Sequence, residues 1–369
     1  MDDDLLAAYR KPIEEDLTLM KWESLNRILG TDRTRFRMLH RDQYLALDEV
    51  DRFEFNAERL RFMAGGMTIK TEMVTDLIKK YTVAELMNSG SLVGNRGIML
   101  SAPASSGKST ACLALIQHYL ALYERHNPGA ISGGAVPAMY ISIPATRTIK
   151  GTLQRMCRYL AIPFKKSDTE TDLSAMLLEN LARLGTKLIV LDEVQMLKGA
   201  ESVYRPAVNN LKDLTNYFRG TIVYSGLNLT ESGLLYGDAG LQLGSRVFTV
   251  KVTNLAGRLT DTSVDEWIHI VSCFARELPL FANESDSLIQ HARWLHSFTG
   301  GNIGTLKAVL FDSCASLILA DKPTQETVTI ELLQEGVRDY AAVVGASEMK
   351  KPAPLAGARN RARAVRNAS

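Results

Sequence analysis

A parallel, doubly wound α/β sheet, preceded by a helical arm and followed by an all-helical unit, is the fold class that this 369-residue sequence predicts. Three observations lead there. From Arg96 onward, short β-rich apolar runs alternate with helical stretches, the pattern of parallel strands joined by crossover helices. Beyond Asn254 the β signal stops and only amphipathic helical spacing remains. A loop of small residues, Ala102 to Thr110, lies directly between the first strand run and the first long helix of the alternating region.

Taken in order, residues 1–90 read as a helical N-terminal arm. Leu45, Leu47, Val50, Phe53 and Phe55, then Met73, Leu77, Ile78 and Tyr81, have helix-compatible spacing, broken at Gly65-Gly66. Residues 91–254 read as an α/β core. Its strand runs are Gly97 to Ser101, Ala138 to Ile143, Leu188 to Leu191, Thr221 to Tyr224 and Val247 to Val252, with a helix over Ala111 to Arg125. Residues 255–345 read as a helical lid, with helices at Ser263 to Glu277, Asp286 to Phe298, Ile303 to Leu319 and Glu331 to Val343. Residues 346–369 shift to Lys350-Lys351-Pro352 and an Arg/Ala series, Arg359, Arg361, Arg363 and Arg366, the composition of a disordered basic tail. No internal repeat is evident.

Composition narrows the class. The chain is 46% apolar, enough to bury a large core, and Lys+Arg 43 against Asp+Glu 41 leaves a net charge of +2, so a nucleic-acid surface has to be a local patch. Cys112, Cys157, Cys273 and Cys314 lie far apart, without zinc-ligand or disulfide-framework spacing. His118, His126, His291 and His296 likewise have no metal spacing and read as packing or surface residues. No apolar run reaches the length of a membrane span, and the Met1-Asp2-Asp3-Asp4 opening has the wrong charge for a signal peptide. The expectation is a cytoplasmic protein with no membrane partner.

The loop Ala102-Pro103-Ala104-Ser105-Ser106-Gly107-Lys108-Ser109-Thr110 departs from GxxxxGK[ST] only in Ala102 at the first glycine. Between a strand and a helix, that layout surrounds a β-phosphate with backbone N–H groups, brings Lys108 to the β and γ charges, and offers the Ser109 hydroxyl to Mg²⁺. ATP or GTP is the expected ligand, against the bland alternative of a turn that happens to contain Lys-Ser. The buried-strand run Lys187 to Glu193 then ends in two carboxylates. Asp192 is expected in the Mg²⁺ shell, and Glu193 as the general base on the attacking water, against the alternative of a solvated turn. After the run Thr221 to Tyr224, Asn228 is the first candidate and Ser225 the second for orienting that water. Arg246, entering the last strand, is the candidate for an arginine finger toward a neighbouring subunit's γ-phosphate, against a surface ion pair.

These residues together resemble the TniB/TnsC-type AAA+ ATPases, regulators of target selection in DNA transposition, which are similar in turn to the IstB and phage Mu B proteins. The resemblance runs through Ala102 to Thr110, Tyr140-Ile141-Ser142-Ile143-Pro144, Leu191-Asp192-Glu193-Val194-Gln195-Met196-Leu197, Val223-Tyr224-Ser225-Gly226, Gln242 to Phe248, and Thr299-Gly300-Gly301-Asn302-Ile303-Gly304-Thr305-Leu306. It covers about residues 85 to 320. Besides Ala102, the sequence departs in having Gly304-Thr305 where many AAA+ proteins carry a sensor-2 arginine, with Lys307 offset from that place.

The resemblance implies an AAA+ P-loop NTPase core of the ASCE type with a C-terminal helical lid, hydrolysing ATP with Mg²⁺. It further implies a homo-oligomer, ring or helical filament, that encloses duplex DNA without sequence preference and recruits a DDE-type transposase, with a TniQ-like targeting protein as a further partner. Independent support for DNA comes from Pro144 to Thr152, where Arg147, Thr148 and Lys150 offer cations, a hydroxyl and a helix amino terminus to a phosphate backbone, with Arg155 and Arg158 following on the next helix. A charged loop at a sheet edge is otherwise a solvated one. The competing readings are a replication initiator or helicase loader of the same superfamily, and a signalling-switch NTPase without nucleic acid.

Overall fold

Apolar runs at 97–101, 138–142, 188–192, 221–226 and 247–249 form five strands of one parallel sheet: β1 (Gly97–Ser101), β2 (Ala138–Ser142), β3 (Leu188–Asp192), β4 (Thr221–Gly226) and β5 (Val247–Thr249). Their order is β2-β3-β4-β1-β5. The computed structural model describes residues 19–30, 36–65, 69–91, 94–143, 148–197, 217–229, 244–255, 259–282 and 285–335. The expected basic tail and the end of the expected last helix lie outside them.

The central strands are buried along their whole length, as a sheet covered on both faces requires. Register is fixed pairwise, with Leu100 beside Ser225, Val190 beside Val223 and Ser142 beside Asp192. The order places β4 between β1 and β3. The loop after β1 and the carboxylates after β3 therefore flank the end of β4 at the carboxyl edge of the sheet, where an open α/β sheet binds its ligands.

The described residues fall into two units, interleaved along the chain: one within 12–31 and 72–252, the other within 32–71 and from 253 on. The expected arm over residues 1–90 is thus shared between them. In the first unit, α1 (Trp22–Gly30) and α4 (Glu72–Ser89) join the sheet core; Leu25, Leu77 and Ala84 are fully buried in it. Among its described residues this unit also contains α5 (Lys108–His126), α6 (Ile149–Tyr159) and α7 (Glu170–Arg183). Each of the last two begins on a threonine cap: Thr148 accepts from the Gly151 N–H, and Thr169 forms a reciprocal capping box with Asp172.

The second unit contains α2 (Arg41–Leu45), α3 (Glu49–Gly65), α8 (Asp261–Glu277), α9 (Ser285–Gln290), α10 (Ala292–Thr299) and α11 (Ile303–Leu319), and a further helix starts at Ile330. Its core centres on Trp267, Leu295, Leu306 and Ile318. One helix was expected over Asp286 to Phe298; the chain instead breaks at His291 into α9 and α10. The Gly300-Gly301-Asn302 segment makes the corner between α10 and α11. Gly300 closes α10 in the left-handed conformation at φ 60°, and Asn302 caps α11 by accepting from the Thr305 N–H. A side chain on Gly301 would run into the Leu255 carbonyl, which is also held by His296 Nε2 at 2.6 Å. Among the described residues no single helix is long and apolar enough to cross a membrane.

Candidate functional site

The loop from Ala102 to Gly107 turns the chain from β1 into α5. Its left-handed residues are Ser105 (φ 54°) and Gly107 (φ 87°). Ala102 is not among them. It is buried, and its N–H reaches the Gly226 carbonyl at 3.3 Å, so the first position of the motif needs a small residue here but not the backbone freedom of glycine. Pro103, Ala104 and Ser105 are exposed, and Ser106 Oγ donates to the Pro103 carbonyl at 2.8 Å. Lys108, the first residue of α5, is only 7% exposed, and its Nζ donates to that same neutral carbonyl at 2.6 Å. Thr110 follows, exposed on α5.

Asp192, at the end of β3, is 1% exposed and accepts four hydrogen bonds. Oδ2 receives Ser109 Oγ at 2.6 Å and the Tyr140 hydroxyl at 2.6 Å; Oδ1 receives Ser225 Oγ at 2.7 Å and the Glu193 N–H at 2.9 Å. All four donors are neutral. Among the described residues no ion pair includes Asp192 or Lys108. Burial, followed by the charge of Asp192, pushes the Tyr140 hydroxyl and the Cys112 thiol upward, so both stay protonated. Sequence reasoning assigned no role to Tyr140, because a strand tyrosine reads as core. Ser225, the second candidate for orienting water, is fully buried and directed at Asp192.

Glu193 sits at φ 60°, off the strand geometry, and its carboxylate accepts from the Gln195 amide. A 3₁₀ turn, Val194–Leu197, follows, anchored by buried Val194 and Leu197. Asn228 is exposed and left-handed (φ 46°), two residues past β4. Arg246 is half-buried, its guanidinium against Gly94 in the same chain, and its carbonyl accepts from the Gly97 N–H at 2.9 Å.

Of the candidate DNA contacts, Arg147 lies outside the described residues. Thr148 caps α6, and Lys150 Nζ donates to the Lys166 carbonyl at 2.9 Å. Arg155 donates to the Ser142 carbonyl at 2.7 Å, and Arg158 lies 5.3 Å over the Phe164 ring. Both of these helix cations are held within the fold.

The donor set fits a magnesium-bound nucleotide. Ser109 and Asp192 converge as hard oxygen donors, Lys108 is a buried cation that among the described residues donates to a neutral carbonyl and forms no ion pair, and the exposed loop leads into a helix amino terminus.

Comparison with known proteins gives the family and the fold. The family model described as bacterial TniB protein matches residues 59–249. Two solved structures of the Aeropyrum pernix ORC2 protein are similar. The one with ADPNP and ADP has TM-score 0.51 at 13% identity and covers 72% of this chain; this chain spans 66% of that one, just under two thirds. The ADP form has TM-score 0.50 at 11% identity, with 81% of this chain and 80% of that chain covered. At such identities the likeness is one of fold, an AAA+ core with C-terminal helices. No curated protein matches the sequence.

Proposed function

The chain belongs to the TniB family, and from that premise we propose that it is an ATP-hydrolysing regulator of DNA transposition, which assembles as a homo-oligomer on duplex DNA and recruits a transposase. The observation that supports the ATPase most strongly is that, among the described residues, buried Asp192 and buried Lys108 each lack an ion-pair partner, while Asp192 accepts from the Ser109 hydroxyl next to Lys108 in the chain. Each of these charges is costly to bury alone, and a magnesium-bound triphosphate compensates both. The ORC2 structure solved with ADPNP and ADP supports adenine as the base.

In this reading the residues from Ala102 to Thr110 hold the phosphates, with Lys108 at the β and γ charges. Ser109 and Asp192 hold Mg²⁺, which when bound neutralises charge on the phosphate oxygens. Tyr140 and Ser225 orient Asp192. Glu193 accepts the proton of the attacking water, and Asn228 helps to place that water. Arg246 reaches across a subunit interface toward a neighbouring subunit's γ-phosphate. Arg147, Thr148 and Lys150 contact DNA phosphates, with a TniQ-like protein as a further partner of the assembly.

ATP turnover measured with and without duplex DNA, with negative-stain imaging of the same samples, tests the whole reading. DNA-stimulated hydrolysis together with DNA-dependent rings or filaments is the expected result. Turnover and particle size both indifferent to DNA would overturn the DNA-bound assembly while leaving the ATPase standing.

A further inference from the structure

We propose that Gln195 is a positioning residue for hydrolysis, which fixes the Glu193 carboxylate and ties it to the loop following β4. The inference deepens the reading above and rests on Glu193 being the base. Glu193, one residue past β3, adopts a left-handed backbone that an L residue does not prefer and that the surrounding structure has to hold. Gln195 Oε1 accepts from the Leu227 N–H at 2.8 Å while its Nε2 donates to Glu193 Oε2.

These two partners dictate the residue type. A backbone N–H requires an acceptor at one end of the side chain and a carboxylate requires a donor at the other, which an amide of this length provides and which also fixes which amide atom is oxygen. Glutamate would set a second carboxylate against Glu193, and lysine has no acceptor for Leu227. The opposing backbone is shaped to match. Gly226 is not left-handed, so its conformation does not require glycine; the close approach of Gln195 does, because a Cβ there would collide with Gln195 Oε1 and lie 2.8 Å from Leu229 Cδ2. The turn that presents Gln195 is pinned by buried Val194 and Leu197 and closed by the Met196 N–H on the Glu193 carbonyl at 2.8 Å. Glu193, Gln195 and the loop carrying Asn228 therefore form one hydrogen-bonded unit.

The test compares Gln195→Ala, the volume-keeping Gln195→Met, Gln195→Glu, Gly226→Ala and the Gln195→Ala/Gly226→Ala double variant in the full-length protein, with Glu193→Gln as reference. With Mg·ATP as substrate, each Gln195 variant is expected to lose about 10- to 100-fold in kcat, with KM and the affinity for a non-hydrolysable ATP analogue unchanged. Gly226→Ala should match them by expelling the amide, and the double variant should be no slower than either single change, because both break one link. A merely structural role would instead lower the melting temperature and raise KM. Wild-type kcat in Gln195→Met beside an inactive Glu193→Gln protein overturns the positioning role alone. Full turnover by Glu193→Gln overturns the base assignment, and this inference with it.

Discussion

Glu326 and Asp192 are each 1% exposed, yet Glu326 meets the guanidinium of Arg59 while Asp192 meets three hydroxyls and one backbone N–H. In the unit that contains α3 and the C-terminal helices, Arg59 donates to Glu326 through both terminal nitrogens, to the Pro279 carbonyl at 2.8 Å and to Asn56 at 3.0 Å, and stacks 4.8 Å over Phe281. Glu326 also accepts from the Phe281 N–H at 3.1 Å. Both charges there are neutralised within the chain, so the cluster needs no ligand and acts as a clasp between segments distant in sequence. In the sheet unit Asp192 and Lys108 both act on the Cys112 thiol, yet among the described residues neither forms an ion pair and each hydrogen-bonds only to neutral groups. Burial with a counter-charge indicates structure; burial without one indicates where a charged ligand binds.

The comparison is open to direct attack. Glu326→Gln should have the largest effect on stability, about 3–5 kcal/mol, because it leaves Arg59 buried without a counter-charge. Chemical denaturation of the nucleotide-free protein measures it. Saturating Mg·ATP should then raise wild-type stability by about 2.7 kcal/mol at a hundredfold excess over Kd, and Lys108→Ala should abolish that gain. A ligand-induced gain of equal size in Lys108→Ala would mean that the nucleotide binds elsewhere. Smallest is the effect of Asp192→Asn on the nucleotide-free, metal-free protein: stability unchanged or higher by about 1 kcal/mol, since a buried charge is removed and the hydroxyls of Ser109, Tyr140 and Ser225 can rotate to suit an amide. A loss as large as that of Glu326→Gln would erase the distinction between the two clusters.

Much of this site was legible in the sequence because its signals are local. The P-loop residues and the Asp192-Glu193 pair lie at the ends of strands whose apolar runs are continuous, and β1 to β4 occupy the expected positions with small shifts at their ends. β5 is shorter than expected, ending at Thr249, because the Lys251 N–H turns to Asp76 on α4. What sequence reasoning missed depends on long-range placement. Tyr140 and Ser225 converge on Asp192 only through the register of β2, β3 and β4. The Arg59–Glu326 clasp joins residues 267 apart, and an arginine on a charged helix gives no local sign of full burial. The Gly300-Gly301-Asn302 segment enters the sequence resemblance but lies outside the residues that the family model matches, and its physical basis, two helix caps and a close approach to Leu255, needed the folded chain.

The central claim, that the Lys108, Ser109 and Asp192 cluster is a hydrolytic nucleotide site with Glu193 as its base, is tested most directly by Glu193→Gln. The substitution keeps the length and polarity of the side chain and removes only its capacity to take a proton. Affinity for Mg·ATP, read by equilibrium titration, and single-turnover hydrolysis of the bound nucleotide should be measured on the same preparation. The account predicts wild-type affinity with hydrolysis slowed by about 10²- to 10⁴-fold, so that the protein accumulates in its ATP-bound form. Hydrolysis at the wild-type rate, or an equal loss of affinity and rate, would contradict it.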